Sequence, residues 1–150
     1  SVSDSTRFGL VYDSEGIGTT NFGATIRWLN NRSSLIAKMI ISSYQTSELD
    51  EAWYLPTTQL QVRYDQSIGK NIQLNVGLNV LQGIKAPAPA DGRVIEMPTV
   101  LDLSLGADYQ INDSWSLFGE VNNVVGSNYE RYYNYPVRGI AAKAGLLFRF

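Results

Sequence analysis

The stretch that decides the fold is GIAAKAGLLFRF, residues 139–150. Every second position from Ile140 to Phe150 is apolar, whereas the positions between them include Lys143 and Arg149. Successive side chains of a β-strand point to opposite faces of the sheet, so this period of two predicts a strand with one apolar face. We expect this strand to continue to the last residue.

Similar alternation predicts seven further strands. They lie at about Thr6–Tyr12, Asn21–Leu29, Ser34–Gln45, Gln59–Tyr64, Asn71–Val80, Leu101–Tyr109 and Trp115–Asn122. In the clearest of them, residues 71–80, Ile, Leu and Val alternate with Asn, Gln and Gly. No segment shows the period of 3.6 that an amphipathic helix requires. We therefore expect an all-β protein with eight antiparallel strands.

Short and long connections alternate along the chain. Short turns are predicted at residues 30–32, 66–69 and 112–113, where Asn, Gly and Asp favour turns. Longer connections are predicted at residues 13–19, 46–51, 81–98 and 126–136. Outer-membrane β-barrels have short periplasmic turns and long extracellular loops. A closing strand that ends on an aromatic residue is also typical of these barrels. With the long loops outside, we expect both chain ends on the periplasmic side.

Composition limits the classes of function. The 150 residues carry a net charge of −2, which offers no basic footprint for nucleic acid, and they form a single predicted domain. The absence of His and Cys from the sequence removes the commonest general base and the commonest metal ligands. No apolar run approaches the roughly 18 residues of a transmembrane helix. We expect no enzyme activity, no cofactor and no metal site.

The polar face of the predicted strands indicates which face meets lipid. Alternation alone also fits a soluble barrel with an apolar interior, but a soluble surface is normally about 25–35% charged. Here only 17% of all residues are charged, and the polar face of residues 71–80 holds only Asn, Gln and Gly. Aromatic residues cluster toward strand ends, as in the two aromatic girdles of membrane barrels: Tyr12, Trp28, Tyr54, Tyr64, Tyr109, Trp115, Phe148 and Phe150.

The predicted fold is therefore an antiparallel transmembrane β-barrel in the bacterial outer membrane, with its polar face lining the lumen. Unpaired strand edges in hydrocarbon cost several kcal/mol per group, so the sheet must close. Eight strands close alone as a barrel filled by side chains. Otherwise, these strands are the last part of a larger barrel.

Several segments resemble the C-terminal end of TonB-dependent receptor barrels, particularly those of Bacteroidetes-type bacteria. The resemblance is carried by Leu101–Tyr109, Phe118–Val124, Tyr129-Glu130, Tyr133–Pro136 and Gly145–Phe150. It implies part of a transport barrel of about 22 strands in a Gram-negative outer membrane. The family's plug domain and TonB box have no counterpart in the 150 residues, so the resemblance implies location and lineage rather than a complete uptake activity.

The same resemblance implies partners. They are outer-membrane lipid and lipopolysaccharide, and the barrel assembly machinery, which would recognise the C-terminal strand through Phe148 and Phe150. The rest of a larger barrel, or a partner subunit, is a further expected neighbour. No nucleic acid is expected.

Eight charged side chains are predicted on the lumen face: Arg27, Lys38, Arg63, Asp102, Asp108, Glu120, Lys143 and Arg149. One interpretation is a polar path, or a general acid and base formed by paired carboxylates. The other is a network of ion pairs and hydrogen bonds that fills a narrow lumen, since buried charges persist only when they are paired. We favour the network.

Two loops have residue types that suit binding. Tyrosine gives a large contact area with little loss of entropy, so the predicted loop with Tyr129, Arg131, Tyr132, Tyr133 and Tyr135 suits a sugar or peptide, or simply packs on the barrel rim. The acidic residues Glu48, Asp50 and Glu51 suit a divalent cation or the ions that bridge lipopolysaccharide, or form a solvated loop. Residues 86–90 predict a stiff, extended connector.

Three hypotheses follow from the sequence. The first is the C-terminal barrel portion of a TonB-dependent receptor-like transporter, which predicts that the gene continues upstream of Ser1. The second is a free-standing eight-stranded outer-membrane barrel with a structural or surface-binding role, which predicts a signal peptide directly before Ser1. The third is a soluble barrel that binds an apolar ligand and needs no detergent.

Overall fold

The computed structural model of the chain describes residues 16–47, 49–88, 93–126, 130–132, 135–136 and 139–150, with backbone only for 130–132 and 135–136. The predicted strand Thr6–Tyr12 lies outside the described residues. No helix in the described part is long and apolar enough to cross a membrane.

The described residues form eleven strands and no helix. They are β1 (Gly18–Leu29), β2 (Ser33–Gln45), β3 (Thr58–Ile68), β4 (Ile72–Gln82), β5 (Lys85–Pro87), β6 (Val94–Glu96), β7 (Val100–Gln110), β8 (Trp115–Asn122), β9 (Glu130–Tyr132), β10 (Tyr135–Pro136) and β11 (Ala141–Phe148). Seven of them form one antiparallel sheet in the order β1-β2-β3-β4-β7-β8-β11. The all-β antiparallel prediction is confirmed, and these seven strands correspond to seven of the eight predicted ones.

Asparagine side chains shape two of the short turns. The Asn30 Oδ1 accepts the N–H groups of Arg32 and Ser33, both at 2.8 Å, and closes the β1–β2 turn. The Asn112 Oδ1 accepts the N–H of Ser114 at 3.0 Å and that of Trp115 at 2.9 Å in the β7–β8 turn. These asparagine turns replace backbone hydrogen bonds locally and fix where the next strand begins.

The third short turn is tighter than predicted. Residues 66–68, predicted as turn, belong to β3 and pair with residues 72–74 of β4. Gly69 then adopts a positive φ of 64°, which suits glycine because it lacks a Cβ. The prediction was wrong because the strand alternation continues beyond Tyr64.

The register of the sheet places all predicted apolar side chains on one face. Paired residues of neighbouring strands share a face, so each row across the sheet has one character. One apolar row is Ile26, Ala37, Val62, Leu78 and Leu103, and the adjacent polar row is Thr25, Lys38, Gln61, Asn79 and Asp102. A slip of one residue would exchange the two faces. The predicted face assignment of the seven strands is therefore confirmed.

The apolar face of this sheet is uncovered. Phe22 is 76% exposed, Ile26 66% and Leu146 57%. The buried hydrophobic residues of the described part are Ala52, Ile84, Ala86, Met97 and Val100, and none of them lies on the apolar face. In the described part, the sheet thus buries no hydrophobic core beneath its apolar side chains.

The sheet is open in the described part of the chain. Strands β1 and β11 are its two edges and do not pair with each other. For the described residues, the structure therefore does not show closure into a barrel. The closing strand is also shorter than predicted: β11 ends at Phe148, because its partner strand β8 begins at Trp115. Beyond it, only the Arg149 N–H continues the pairing, with a 2.8 Å bond to the Ser114 carbonyl oxygen.

A small hydrophobic core forms outside the apolar face. Ile84, Ala86, Met97 and Val100 are buried together, and Tyr54 and Leu81 pack against them. We call residues 52–54, 84–88 and 93–97 the cap. Val100 pairs with Leu81 in the register that also pairs Asp102 with Asn79, so the cap packs on the polar face of the sheet, at the end with the long connections.

The cap corrects two expectations. Residues 86–90 were expected to be an extended connector. Residues 89 and 90 lie outside the described residues, but residues 86 and 87 belong to β5, which pairs with β6 as an antiparallel hairpin. Tyr54, expected in an aromatic girdle, packs against the cap core, with its N–H bonded at 2.8 Å to the Lys85 carbonyl oxygen. Contacts between two distant connections produce both results, and local sequence patterns do not record such contacts.

Candidate functional site

The candidate functional site is the polar face of the sheet, which is concave. Arg32 lies in the β1–β2 turn with its carbonyl oxygen bonded to Ser67 of β3, whereas Arg149 follows the edge strand β11. Both nevertheless line a single cavity of about 600 Å³, together with polar-face residues such as Asp108 and Phe118. The sheet must therefore curl toward its polar face, as the right-handed twist of strands permits.

Small residues deepen the centre of this face. A second cavity, of about 360 Å³, is lined by Arg63, Asn75, Gly77, Ser104 and Glu120, among others. A Cβ added at Gly77 would lie 2.5 Å from the Ser104 Oγ. A Cβ added at Gly106, the cross-strand partner of Asn75, would clash with the Asn75 amide. Neighbouring polar side chains thus fill the space that the glycines leave, which is how a confined polar interior packs.

Two ion pairs lie on this face. The Lys143 Nζ is 2.9 Å from the Glu120 Oε2, which joins β11 to β8, where the two residues are register partners. The Arg63 Nε is 3.2 Å from the Asp65 Oδ2 within β3. Asp65 was missed by the sequence analysis, although extending the alternation two residues past Arg63 would have placed it on the polar face.

The other predicted lumen residues are separate from these pairs. The Asp102 Oδ1 accepts the Asn123 N–H at 3.2 Å. Four of the predicted charges form no ion pair with another described residue: Arg27, Lys38, Asp108 and Arg149. Of the eight predicted residues, the structure brings only Glu120 and Lys143 into an ion pair with each other, whereas Arg63 pairs with Asp65.

Asp108 and Glu120 have different cross-strand partners on this face. Asp108 is opposite Phe118 in the β7–β8 register, whereas Glu120 is opposite Gly106 and is bonded to Lys143. Together with the other polar side chains, they offer hydrogen bonding and charge for a polar ligand or a packed interior.

The structure describes the two predicted binding loops to different extents. In the acidic loop, the Glu51 Oε1 accepts a 2.6 Å bond from the Lys85 Nζ and helps to hold the cap, while Glu48 lies outside the described residues. No group of three or more acidic residues that could hold a metal ion occurs in the described part. In the tyrosine loop, Tyr129 and Tyr133 lie outside the described residues, and the backbone around Arg131 pairs Tyr132 with Tyr135.

Aromatic side chains gather on the apolar face at the short-turn end. The ring centroids of Trp115 and Phe148 are 4.7 Å apart, and those of Phe148 and Phe150 are 6.5 Å apart. Tyr109 and Trp28 lie on the same face near this end. This belt includes Phe148 and Phe150, the two residues expected to form an assembly signal.

Replacing Gly145 tests the packing of the polar face. A Cβ at Gly145 would lie 2.6 Å from the Phe118 ring, so Gly145→Ala is expected to lower the free energy of unfolding by about 1–3 kcal/mol. Gly119→Ala is the matched control, because nothing lies within 4 Å of its added Cβ. Urea denaturation in detergent measures both, and adding Phe118→Ala is expected to remove most of the Gly145→Ala loss. Equal losses for the two alanine variants would contradict this packing.

Two comparisons with known proteins found no match. The chain matches no protein-family model, and no curated protein matches it. Function is therefore inferred from the two faces of the sheet and from the residues that carry the resemblance.

Proposed function

We propose that this chain is an outer-membrane β-barrel module of a Gram-negative bacterium, the C-terminal barrel portion of a TonB-dependent receptor-like transporter. Its apolar face contacts lipid, and its polar face lines the lumen. The observation that carries the proposal is the placement of large apolar side chains on the uncovered face and of polar side chains on the face that curls around a cavity. Soluble barrels have the reverse arrangement.

Burial energetics support a lipid environment. Exposed apolar patches larger than a few hundred Å² are rare on soluble monomers. Phe22, Ile26 and Leu146 belong to a face that spans all seven strands, and each is more than half exposed. Hydrocarbon removes the cost of exposing such a face to water, but it requires that the backbone groups at the β1 and β11 edges find partners. Closure by further strands is therefore part of the proposal.

The orientation follows from the connections. In outer-membrane barrels, short turns face the periplasm and long loops face the exterior. The turns at Asn30 and Asn112 are then periplasmic, together with the aromatic belt, and the cap is extracellular. Lipid and lipopolysaccharide are the expected neighbours of the apolar face, and the assembly machinery is expected to contact β11 through Phe148 and Phe150. The proposal includes no catalytic role.

A second candidate is a free-standing eight-stranded barrel with a structural or surface-binding role. The observation that favours it is the tight curl, because Arg32, which lies beside β2 and β3, and Arg149, which follows the edge strand β11, line one cavity. The same strands in a barrel of about 22 strands would curve gently and hold these two residues far apart. Eight strands would instead enclose an interior filled by side chains.

The intact mass of the native polypeptide, extracted in detergent from the outer-membrane fraction, distinguishes the two candidates. We expect a mass several times the 16.7 kDa of this chain if it is the closing part of a receptor barrel. A mass near 16.7 kDa would overturn the transporter proposal in favour of the small barrel. Recovery of the polypeptide in the soluble fraction would contradict both.

A further inference from the structure

Three basic residues line one cavity at the short-turn end of the polar face. Arg32 lies in the β1–β2 turn, Lys70 in the β3–β4 turn, and Arg149 directly after β11. All three line the cavity of about 600 Å³ described above, and Asp108 is the one acidic residue of its lining. We call this cavity the basic basin.

The backbone that carries each basic residue is held by hydrogen bonds. The Arg32 carbonyl oxygen accepts the Ser67 N–H at 2.7 Å and the Gln66 Nε2 at 3.2 Å. The Arg149 N–H is bonded to the β7–β8 turn. Lys70 is followed by Asn71, whose Nδ2 donates to the Gln110 carbonyl oxygen at 2.9 Å. A ligand would therefore need to order only the side-chain ends, which lowers the entropic cost of binding.

The charges of the basin are unbalanced. None of Arg32, Lys70 and Arg149 forms an ion pair with another described residue. Three cations that share one concave site with a single carboxylate repel one another, and a bound anion would relieve this repulsion. Two of the cations are arginines, whose planar donor forks match the oxygens of a phosphate group.

We propose that the basic basin binds a phosphate group in a protonated form, either free hydrogen phosphate or a phosphomonoester. Free hydrogen phosphate carries a proton at neutral pH, whereas a phosphomonoester takes up a proton from solution on binding, because its second pKa is about 6. The three cations neutralise the oxyanion. Asp108 accepts a hydrogen bond from the protonated phosphate oxygen, which sulfate cannot donate at neutral pH. The site requires the tight curl that brings Arg32 and Arg149 to one cavity, so it rests on the eight-stranded candidate rather than on a barrel of about 22 strands.

Titration of inorganic phosphate into the native, detergent-extracted protein that contains this chain tests the proposal by calorimetry. We expect saturable binding that weakens about tenfold in Arg149→Gln and in Arg32→Gln, since each removes a charge-assisted contact. Arg27→Gln is the matched control, an exposed arginine of the same face outside the basin, and is expected to bind like the parent. Circular dichroism checks that all three variants keep the strand content.

Two further titrations identify the ligand chemistry. Glycerol 3-phosphate replaces inorganic phosphate in one, and tighter binding would assign the basin to phosphomonoesters rather than to free phosphate. Sulfate replaces it in the other, and Asp108→Asn is expected to strengthen sulfate binding while weakening phosphate binding. Equal changes for both anions would overturn the role of Asp108. Absence of saturable binding for both phosphate probes, or equal binding by Arg149→Gln and Arg27→Gln, would overturn the proposal.

Discussion

Val62→Arg is expected to reduce the free energy of folding into a lipid bilayer by about 2–4 kcal/mol. Val62 lies near the middle of β3 on the apolar face, in a row with Ala37 and Leu78. An arginine there would place its guanidinium in hydrocarbon near the bilayer midplane, where desolvation is most costly. Urea titration of the chain folded into phospholipid vesicles measures the loss.

Gln61→Arg is the matched control for this substitution. Gln61 is the neighbour of Val62 in β3, so depth and strand are the same, but its side chain lies on the polar face between Lys38 and Asn79. We expect the control to cost much less, because the new guanidinium reaches water or polar side chains. Equal losses for the two arginines would show that the apolar face does not contact lipid.

Ala86→Asp is expected to open the cap while leaving the sheet folded. Ala86 is completely buried in the cap core, and an aspartate there would bury a carboxylate without a partner. The cost of at least about 2 kcal/mol corresponds to about thirtyfold faster amide hydrogen exchange in the cap. The amides to follow are those of Tyr54 and Met97, which bond to the Lys85 and Ile84 carbonyl oxygens.

Val94→Asp provides the comparison within the same hairpin. Val94 pairs with Pro87 in the β5–β6 register but is 46% exposed, so a carboxylate there stays hydrated. We expect little change in the exchange of the Tyr54 and Met97 amides. If Ala86→Asp left these amides as protected as Val94→Asp does, the cap core would not be what holds the hairpin on the sheet.

The strands and their faces were predictable because the deciding signal is local and repeated. In β4, each apolar residue from Leu74 to Val80 is separated from the next by one polar or glycine position, and the register pairs it with the same face of β7. A period of two fixes both the element and its orientation. Asparagine and glycine, at Asn30, Gly69 and Asn112, then mark where the chain reverses.

The cap was not predictable from the same signal. Strands β5 and β6 have only three residues each, too few for an alternation to register, and β5 contains two of the residues expected to form a stiff connector. Their fold depends on contacts with Tyr54, Leu81 and Val100, which come from other parts of the chain. Long-range packing of this kind has no local pattern.

The basic basin could not be predicted from the sequence, for a related reason. The sequence analysis placed Arg149 in the lumen, but Arg32 and Lys70 were counted only as residues in or beside turns. Their convergence with Arg149 depends on the curl of the sheet, which brings residues of the β1–β2 turn, the β3–β4 turn and the β11 edge around one cavity. Alternation reports the side of the sheet that a residue faces, and it does not report how strongly the sheet curves.

Quenching of tryptophan fluorescence by phospholipids brominated near the headgroup end of their chains tests the lipid-facing assignment most directly. The chain has three tryptophans, so two Trp→Phe replacements isolate each in turn. Trp28 and Trp115 lie on the apolar face and are 50% and 40% exposed, whereas Trp53 lies in the cap. We expect strong quenching of Trp28 and Trp115 and little quenching of Trp53. Quenching of Trp28 and Trp115 by aqueous iodide, with none by brominated lipid, would contradict a membrane-facing apolar surface.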